Sequence, residues 1–348
     1  MQCRVVSVVA AVPRLSLAQI TETSRRASGK MTIIGAAVPG SMLLLFLGGV
    51  LLLCDSAVSL SHGHVNDRPI IGILAQETHF GHLLHYGSSY IAASYVKTLE
   101  SVGARAMPIR INLTEAEYEH IFNSINGVLF PGGGVDLKTS EYARAANIFY
   151  NLALKANDRG DYFPIWGTCL GFEQLTYITS GENVLTITKT EDVALPLNFT
   201  TAPEKSRIFR DCPKDVLKAL ASKPITANFH DWSLSLQNYT SNEKLKNFYK
   251  VVSTNTDGHL EFVSTMEAYK YPIYGVQWHP EKNPYEWKTP SSTSHSLQAI
   301  KAAFHMAYFF VNEGAARPQD EEWKNRSEET RRMQNSRYRW MESTNGHA

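Results

Sequence analysis

The stretch that most constrains the fold of this chain is residues 163–173, an apolar run that passes through Gly-x-Cys-x-Gly into helix-compatible residues. Gly167 and Gly171 flank Cys169. A side chain held on a sharp strand-to-helix turn has strained backbone angles and needs small neighbours. The pattern therefore predicts an elbow that exposes Cys169 at the end of a sheet and points a helix N-terminus at it, which favours the thiolate. Such an elbow is typical of acyl-transfer chemistry; the alternative is a buried cysteine in a glycine-flanked turn.

A second strand-like run, residues 271–281, ends in His-Pro-Glu. An imidazole is the usual base that activates a thiol, and a carboxylate is the usual group that fixes the imidazole tautomer. His279 and Glu281 are two residues apart on an extended segment, so their side chains point to the same side. We therefore expect His279 to exchange the proton with Cys169, and Glu281 to orient His279, in a fold that brings these distant segments together.

A third run, residues 127–136, is a short apolar strand that leads into three glycines at 132–134, here called the glycine turn. Glycines allow backbone N–H groups to approach a reacting atom closely. The turn is a candidate for half of an oxyanion hole, with the N–H groups of Gly133 and Leu170 as the two donors. A phosphate-binding loop is disfavoured because no Gly-Lys-Ser/Thr follows, and a plain turn at a strand end is the simpler alternative.

Apolar runs and helical patterns alternate along the first half of the chain. The predicted strands are residues 69–76, 104–111, 127–131 and 163–167, and the predicted helices are 88–102, 114–125, 141–157 and 294–311. Thr114 and Glu117 form a capping box at the start of the second helix. The alternation predicts an α/β fold, a flavodoxin-like, doubly wound and mostly parallel sheet flanked by helices, with the site beyond the carboxyl ends of the strands. After about residue 186 the pattern changes to short strands and turns.

The glycine turn, the elbow and His-Pro-Glu, in this order, resemble the class I glutamine amidotransferase-like superfamily. Residues 166–173, 228–232 and 277–283 more closely resemble the gamma-glutamyl hydrolase family, and the resemblance extends over about residues 68–316. It implies a cysteine-dependent hydrolase of folate (pteroyl) polyglutamates and related antifolate polyglutamates that works through a thioester and without a cofactor. It also implies Cys169 as the nucleophile, His279 as its proton-transfer partner, and supporting or substrate-binding roles for Glu173 and His230. A homodimer is a further implication of the resemblance.

Two other functions fit the same fold. One is an amidotransferase-type glutaminase that passes ammonia to a synthase, and the other is a catalytically silent ligand-binding protein. The apparent secretory signal, and the lack of remaining length for a synthase domain, disfavour the glutaminase. The intact Cys, His and Glu set disfavours the binding protein, because binding requires none of the three.

The N-terminal part of the chain has the pattern of a targeting segment. Residues 41–54 are an apolar run preceded by Arg25, Arg26 and Lys30 and followed by small residues. This predicts a signal peptide that is cleaved near residues 57–61, and no stable membrane anchor. We therefore predict three parts: an N-terminal extension with the signal peptide (1–60), a catalytic domain (61–316) and a charged tail (317–348). The expected location is the secretory pathway, ending in the lysosome or the extracellular space.

Glycosylation sequons and cysteines fit that compartment. The candidate glycosylation sites are Asn112, Asn198, Asn238 and Asn325. Removal of the signal segment would leave Cys169 and Cys212, too few for a disulfide scaffold. We expect Cys212 to be a free structural thiol, although a bridge between the two cysteines, which would abolish the mechanism, stays open.

Composition disfavours two other classes of function. The formal net charge is +1 at pH 7, and no basic patch interleaved with aromatics points to nucleic acid. The spacing of the histidines does not predict a metal site. Three histidines at three-residue spacing are predicted to lie in a polar loop after the first strand, near the mouth of the expected active-site cleft: His79, His82 and His85.

Overall fold

The computed structural model describes residues 66–78, 84, 87–287, 291–317 and 329. Several predicted features lie outside these residues: the signal segment, the sequon at Asn325, and the histidines His79, His82 and His85. Most of the predicted charged tail lies outside them as well. Among the residues that the structure describes, no helix has both the length and the apolar character that a bilayer span requires.

Twelve strands and nine α-helices are assigned in the described part of the chain. The strands are β1 Ile70–Leu74, β2 Gln76–Glu77, β3 Ser89–Tyr90, β4 Arg105–Ile109, β5 Gly127–Phe130, β6 Ile165–Thr168, β7 Thr186–Leu195, β8 Asn198–Phe199, β9 Thr226–Ser233, β10 Tyr249–Thr256, β11 Glu261–Ala268 and β12 Ile273–Val276. The helices are α1 Ala93–Glu100, α2 Glu115–Ser124, α3 Glu141–Asp158, α4 Leu170–Ser180, α5 Lys214–Ser222, α6 Leu236–Ser241, α7 Glu243–Phe248, α8 Lys282–Tyr285 and α9 Leu297–Ala315, with a 3₁₀ turn at Pro203–Lys205.

The main sheet has eight strands in the order β4-β1-β5-β6-β12-β11-β10-β8. The first five pair in parallel, and β11, β10 and β8 extend the sheet by antiparallel pairing. The predicted parallel sheet flanked by helices is therefore confirmed as the core of a mixed sheet. The antiparallel part comes from the region where the sequence predicted only short strands and turns.

Both faces of the sheet are covered, as the apolar runs of its strands require. Strand β1 shows the division, because successive side chains of a strand point to opposite faces. Ile70 and Leu74 pack into one hydrophobic core, and Ile71 and Ile73 pack into the other. The first core contains residues of α2, α3 and α4, and the second contains residues of α1, α5 and α9.

The predicted helices agree with the structure to different degrees. Helix α2 has the predicted capping box, in which the Thr114 side chain accepts from the Glu117 N–H and the Glu117 side chain accepts from the Thr114 N–H. Helix α1 begins at Ala93, so the prediction of a helix from residue 88 was wrong at its start. Ser89–Tyr90 instead pair with Gln76–Glu77 in a small antiparallel ribbon.

The start of the predicted charged tail is packed against the domain. Arg317 is buried, and its guanidinium donates to both oxygens of the Asp161 carboxylate, at 2.8 and 2.7 Å. It also donates to the carbonyl oxygens of Phe122 and Ile125 at the end of α2. These contacts hold the end of α9 to the rest of the domain.

Candidate active site

Three neighbouring strands carry the three sequence motifs to one edge of the sheet. Strand β6 lies between β5 and β12, and all three are parallel. The Cys169 N–H, directly after β6, donates to the Val276 carbonyl at the end of β12 at 2.9 Å. Because the carboxyl ends of parallel strands meet at the same edge, the glycine turn, Cys169 and His279 lie together.

The elbow has the strained geometry that its glycines predict. Cys169 has φ 51° and ψ −109°, and α4 begins at the next residue. A methyl group on Gly167 would lie 2.6 Å from the Gly171 oxygen, and one on Gly171 would lie 2.0 Å from the Phe130 oxygen. Backbone atoms cannot move aside as a flexible side chain can, so both positions require glycine.

The Cys169 thiol is buried among polar and charged groups. Its Sγ lies 3.8 Å from the Phe229 carbonyl oxygen. Burial, followed by the charges of Glu173 and Glu281, raises the pKa of Cys169 well above its ordinary value, while the Leu170 N–H lowers it. The N–H at the helix N-terminus favours the thiolate, as expected, but desolvation and the nearby carboxylates outweigh it. A base is needed to take the proton.

His279 and Glu281 form the predicted pair. Nδ1 of His279 lies 2.6 Å from Oε1 of Glu281, and both side chains are buried. A carboxylate can only accept, so Nδ1 carries the proton and Nε2 of the neutral ring has a lone pair. Nε2 is buried and makes no hydrogen bond to any residue that the structure describes. A methyl group on Gly132 would lie 2.6 Å from His279 Cε1 and 3.2 Å from Cys169 Cβ, so histidine and cysteine flank the same glycine.

Two side chains that the sequence analysis did not single out hold the glycine turn. Tyr95 Oη accepts from the Gly132 N–H at 2.8 Å and lies 3.3 Å from His279 Nδ1. Gln76 Nε2 donates to the Gly132 carbonyl at 2.7 Å, and Gln76 Oε1 accepts from the Gly134 N–H at 3.3 Å. A polar residue at the end of an apolar strand run was the one signal for Gln76. Tyr95 has the spacing of an ordinary helix core residue and gave no signal.

Glu173 is buried on the first turn of α4, where its N–H donates to the Cys169 carbonyl at 2.9 Å. Its carboxylate accepts from Gln277 Nε2 at 2.9 Å. Burial raises the pKa of Glu173 to about 7. This side chain therefore changes charge close to neutral pH and lines the same cleft as the thiol.

His230 lies on β9, which pairs with β7 in a ribbon outside the main sheet. Its Nδ1 is within 3.1 Å of Thr190 Oγ1, the Trp232 carbonyl and Ser233 Oγ, and its Nε2 is 3.1 Å from Asn228 Oδ1. Burial lowers the pKa of His230 to about 3, which keeps the ring neutral. Both ring nitrogens already have partners in the protein, so His230 has no nitrogen free for a substrate.

The thiol opens into a cleft of about 840 Å³, a size that suits a small-molecule ligand. Gly133 and Leu170, the predicted oxyanion-hole residues, both line it. The exposed Trp232 forms part of its rim. Its charged lining residues are Asp136, Lys138, Glu173, Glu182, Glu191 and Asp231.

The remaining cysteine and the sequons lie elsewhere. Cys169 and Cys212 are both free and buried, so the bridge left open by the sequence is not formed. Burial raises the pKa of Cys212 to about 12. Asn112 and Asn198 are exposed, whereas Asn238 Nδ2 donates to the Val184 carbonyl at 2.8 Å.

Comparisons with known proteins identify the family of this chain. The family model Peptidase C26 matches residues 69–281. Gamma-glutamyl hydrolase of Homo sapiens is 56% identical over 300 residues, covering 85% of this chain and 93% of that protein. Gamma-glutamyl hydrolase B of Dictyostelium discoideum is 42% identical over 252 residues, covering 72% and 73%. The solved structure of PurLQS from Thermotoga maritima is 14% identical with a TM-score of 0.42, covering 68% and 97%. The resemblance drawn from the sequence motifs is confirmed: this chain belongs to the gamma-glutamyl hydrolases of the Peptidase C26 family.

Proposed function

We propose that this chain hydrolyses the gamma-glutamyl bonds of pteroyl polyglutamates, and of related antifolate polyglutamates, through a thioester on Cys169. The observation that carries the proposal is the convergence around Gly132 of a thiol on a strained elbow and a buried His279–Glu281 pair. Membership of the gamma-glutamyl hydrolase family supports the bond that is cleaved. The choice of folate substrates is supported by the family resemblance of the motifs.

The acylation half of the reaction uses His279 as base and then as acid. Nε2 of His279 removes the Cys169 proton, and the sulfur attacks the gamma-carbonyl carbon of a glutamyl unit. The oxyanion accepts hydrogen bonds from the N–H groups of Leu170 and Gly133. When the carbon–nitrogen bond breaks, His279 gives its proton to the leaving amine and the acyl group stays on sulfur. Glu281 holds the imidazole in the required tautomer and stabilises its cationic form.

Deacylation reverses these roles. His279 Nε2 takes a proton from water, and the hydroxide oxygen attacks the thioester carbonyl. The same two N–H groups stabilise the second oxyanion. Collapse breaks the carbon–sulfur bond, releases the carboxylic acid and returns the proton to Cys169. No step requires a cofactor or a metal ion.

Glu173 and His230 have supporting roles. Glu173 lies one helical turn from the nucleophile and lines the cleft, where its carboxyl contacts an amine or peptide N–H of the substrate. His230 presents the carbon edge of a neutral ring, because its two nitrogens hold the ribbon residues around it. It acts by shaping the wall of the cleft rather than by donating a hydrogen bond to the substrate.

The protein works in the secretory pathway, in the lysosome or outside the cell, as a glycosylated homodimer. The apolar run at residues 41–54 supports a cleaved signal peptide without a stable membrane anchor. The exposure of Asn112 and Asn198 supports glycosylation at these two sequons. The dimer is supported only by the family resemblance.

The proposal is tested by incubating the mature wild-type protein with pteroylpentaglutamate and, separately, with glutamine. We expect shortened glutamate chains in the mass spectrum of the first mixture, with product lengths that give the cleavage position. Ammonia from glutamine, with intact pentaglutamate, would replace the proposal with a glutaminase. Retained binding of pteroylpentaglutamate without turnover of either compound would indicate a silent binding protein.

A further inference from the structure

We infer that Gln76 and Tyr95 are positioning residues that clamp the glycine turn, so that the Gly133 N–H is held ready for the oxyanion. The inference rests on the proposed acyl-transfer function, because an amide aimed into the cleft matters only if charge develops there. It assigns a function to two residues that lie on separate elements, the ribbon strand β2 and helix α1.

Some backbone groups of the glycine turn are hydrogen-bonded to Gln76 or Tyr95, and one N–H group is not. The Gly132 N–H is taken by Tyr95 Oη, the Gly132 carbonyl by Gln76 Nε2, and the Gly134 N–H by Gln76 Oε1. The Gly133 N–H makes no hydrogen bond to any described residue, and Gly133 lines the cleft beside Cys169. The clamp therefore fixes the peptides on both sides of this donor and leaves the donor itself available.

The clamp also explains why the turn consists of glycines. A methyl group on Gly133 would lie 1.7 Å from Gln76 Oε1, and one on Gly132 would lie 2.7 Å from Tyr95 Oη. Gln76 and Tyr95 are 2% and 4% exposed, so packing around them restricts any movement away from the turn. A preorganised donor costs no rearrangement when charge develops in the transition state, which is the basis of its catalytic value.

Tyr95 extends the clamp to the proton-transfer pair. Its hydroxyl oxygen accepts from the Gly132 N–H and lies 3.3 Å from His279 Nδ1. Glu281 accepts the proton of the same nitrogen. One hydroxyl therefore connects the orientation of the base with the orientation of the oxyanion turn. Burial raises the pKa of Tyr95 well above its ordinary value, which keeps the hydroxyl uncharged beside the His279–Glu281 pair.

Two assays on the full chain separate oxyanion positioning from general packing. The first is kcat and KM on pteroylpentaglutamate, where a tetrahedral oxyanion forms. The second is alkylation of Cys169 by iodoacetamide, in which the thiolate attacks a saturated carbon and iodide leaves, so that no oxyanion forms. A residue that only positions the Gly133 donor affects the first assay and not the second.

Gln76→Leu removes both amide contacts with little change in volume. We expect kcat to fall between about tenfold and about 100-fold, because misplacement of a catalytic group by about 1 Å has effects of this size, with KM changed less than kcat. Alkylation of Cys169 should keep the wild-type rate and pH profile. Gln76→Met, tested in parallel, provides a second variant if the Gln76→Leu protein does not fold.

Tyr95→Phe should lower kcat to a similar extent and, because Tyr95 also contacts the His279–Glu281 pair, shift the pH profile of alkylation. The matched control is Tyr118→Phe, which removes another buried hydroxyl that accepts a backbone N–H, from Leu113 at 3.3 Å. Tyr118→Phe should leave kcat and alkylation as in the wild type.

Several outcomes would overturn the inference. Wild-type kcat in folded Gln76→Leu or Gln76→Met would show that the turn needs no clamp. A parallel loss of kcat and alkylation in these variants would indicate a packing role instead. If the wild type cleaves glutamine but not pentaglutamate, the proposed substrate fails, and the same comparison on glutamine still decides the role of Gln76. A wild type that cleaves neither would overturn both proposals.

Discussion

At the scale of single residues, the reactivity of the cleft depends on buried charges around Cys169. Burial and two carboxylates favour the neutral thiol. The proposed mechanism therefore requires His279 to take the proton, and the free lone pair on His279 Nε2 allows it to do so. Glu173 contributes a charge that depends on pH, because burial raises the pKa of its carboxyl to about 7.

The raised pKa of Glu173 predicts a specific dependence of stability on pH. The folded protein binds this proton more tightly than the unfolded chain, whose carboxyl has an ordinary pKa of 4.5. Stability from this group is thus fully present below pH 4.5 and is lost as the pH rises to about 7, by about 3 kcal/mol. Glu173→Gln should remove that loss. Urea denaturation of both proteins between pH 4 and about 8 checks it, and parallel stability curves would contradict the assignment.

Glu281 is expected to act through the tautomer of His279. Glu281→Gln removes the carboxylate that holds the Nδ1 proton and stabilises the imidazolium, so we expect kcat to fall by about 10⁴. Steady-state kinetics on pteroylpentaglutamate measure this. Glu182→Gln, a change in another acidic residue that lines the cleft, should keep most of the activity. Equal losses in the two variants would argue for a general effect of cleft charge.

At the scale of elements, the strand–elbow–helix unit of β6 and α4 fixes the position of Cys169, the proposed nucleophile. We expect Gly171→Ala to destabilise the protein by more than about 3 kcal/mol, because its methyl group would overlap the Phe130 carbonyl. Gly134→Ala is the control, since no atom of the described residues, apart from Gly134 itself and its two chain neighbours, lies within 4 Å of the added methyl group. Thermal unfolding of both variants tests this, and a stable Gly171→Ala protein would mean that the elbow tolerates a side chain.

The elements differ in how well the sequence predicts them. The elbow and the capping box at Thr114 depend on local sterics and local hydrogen bonds, and both are confirmed. The start of α1 was predicted too early because Ser89–Tyr90 pair with β2. This pairing is a tertiary contact that the local helical pattern does not contain. The ribbon of β7 and β9 was not predicted for the same reason, since its pairing joins segments whose own patterns are weak.

At the scale of the whole molecule, the topology brings together what the sequence keeps apart. The proximity of Cys169 and His279 was predictable because each motif has its own local pattern, and the parallel sheet explains why they lie together. Gln76 and Tyr95 were not predictable as site residues, because only the fold brings their side chains to the glycine turn. Polar contacts between distant elements do not produce a helical or strand periodicity that can be recognised in a sequence.

The surface of the folded domain predicts which sequons carry glycans. Asn112 and Asn198 are exposed, whereas the amide of Asn238 already donates to the Val184 carbonyl and to Thr186 Oγ1. We expect glycans on Asn112 and Asn198 of protein secreted from animal cells, and none on Asn238. Mass spectrometry of peptides after enzymatic deglycosylation in heavy-oxygen water tests this, and full occupancy of Asn238 would contradict it.

The central claim, that Cys169 is the nucleophile, is tested most directly by comparing two cysteine variants. Both Cys169 and Cys212 are free, buried thiols in the structure, and only Cys169 lies on the elbow. The measurement is the kcat of Cys169→Ala and Cys212→Ala on pteroylpentaglutamate. We predict that kcat of Cys169→Ala is at least about 10⁴-fold lower than that of the wild type. The kcat of Cys212→Ala should stay within a few-fold of the wild-type value. Retained activity in folded Cys169→Ala, or its loss only in Cys212→Ala, would contradict the proposed mechanism.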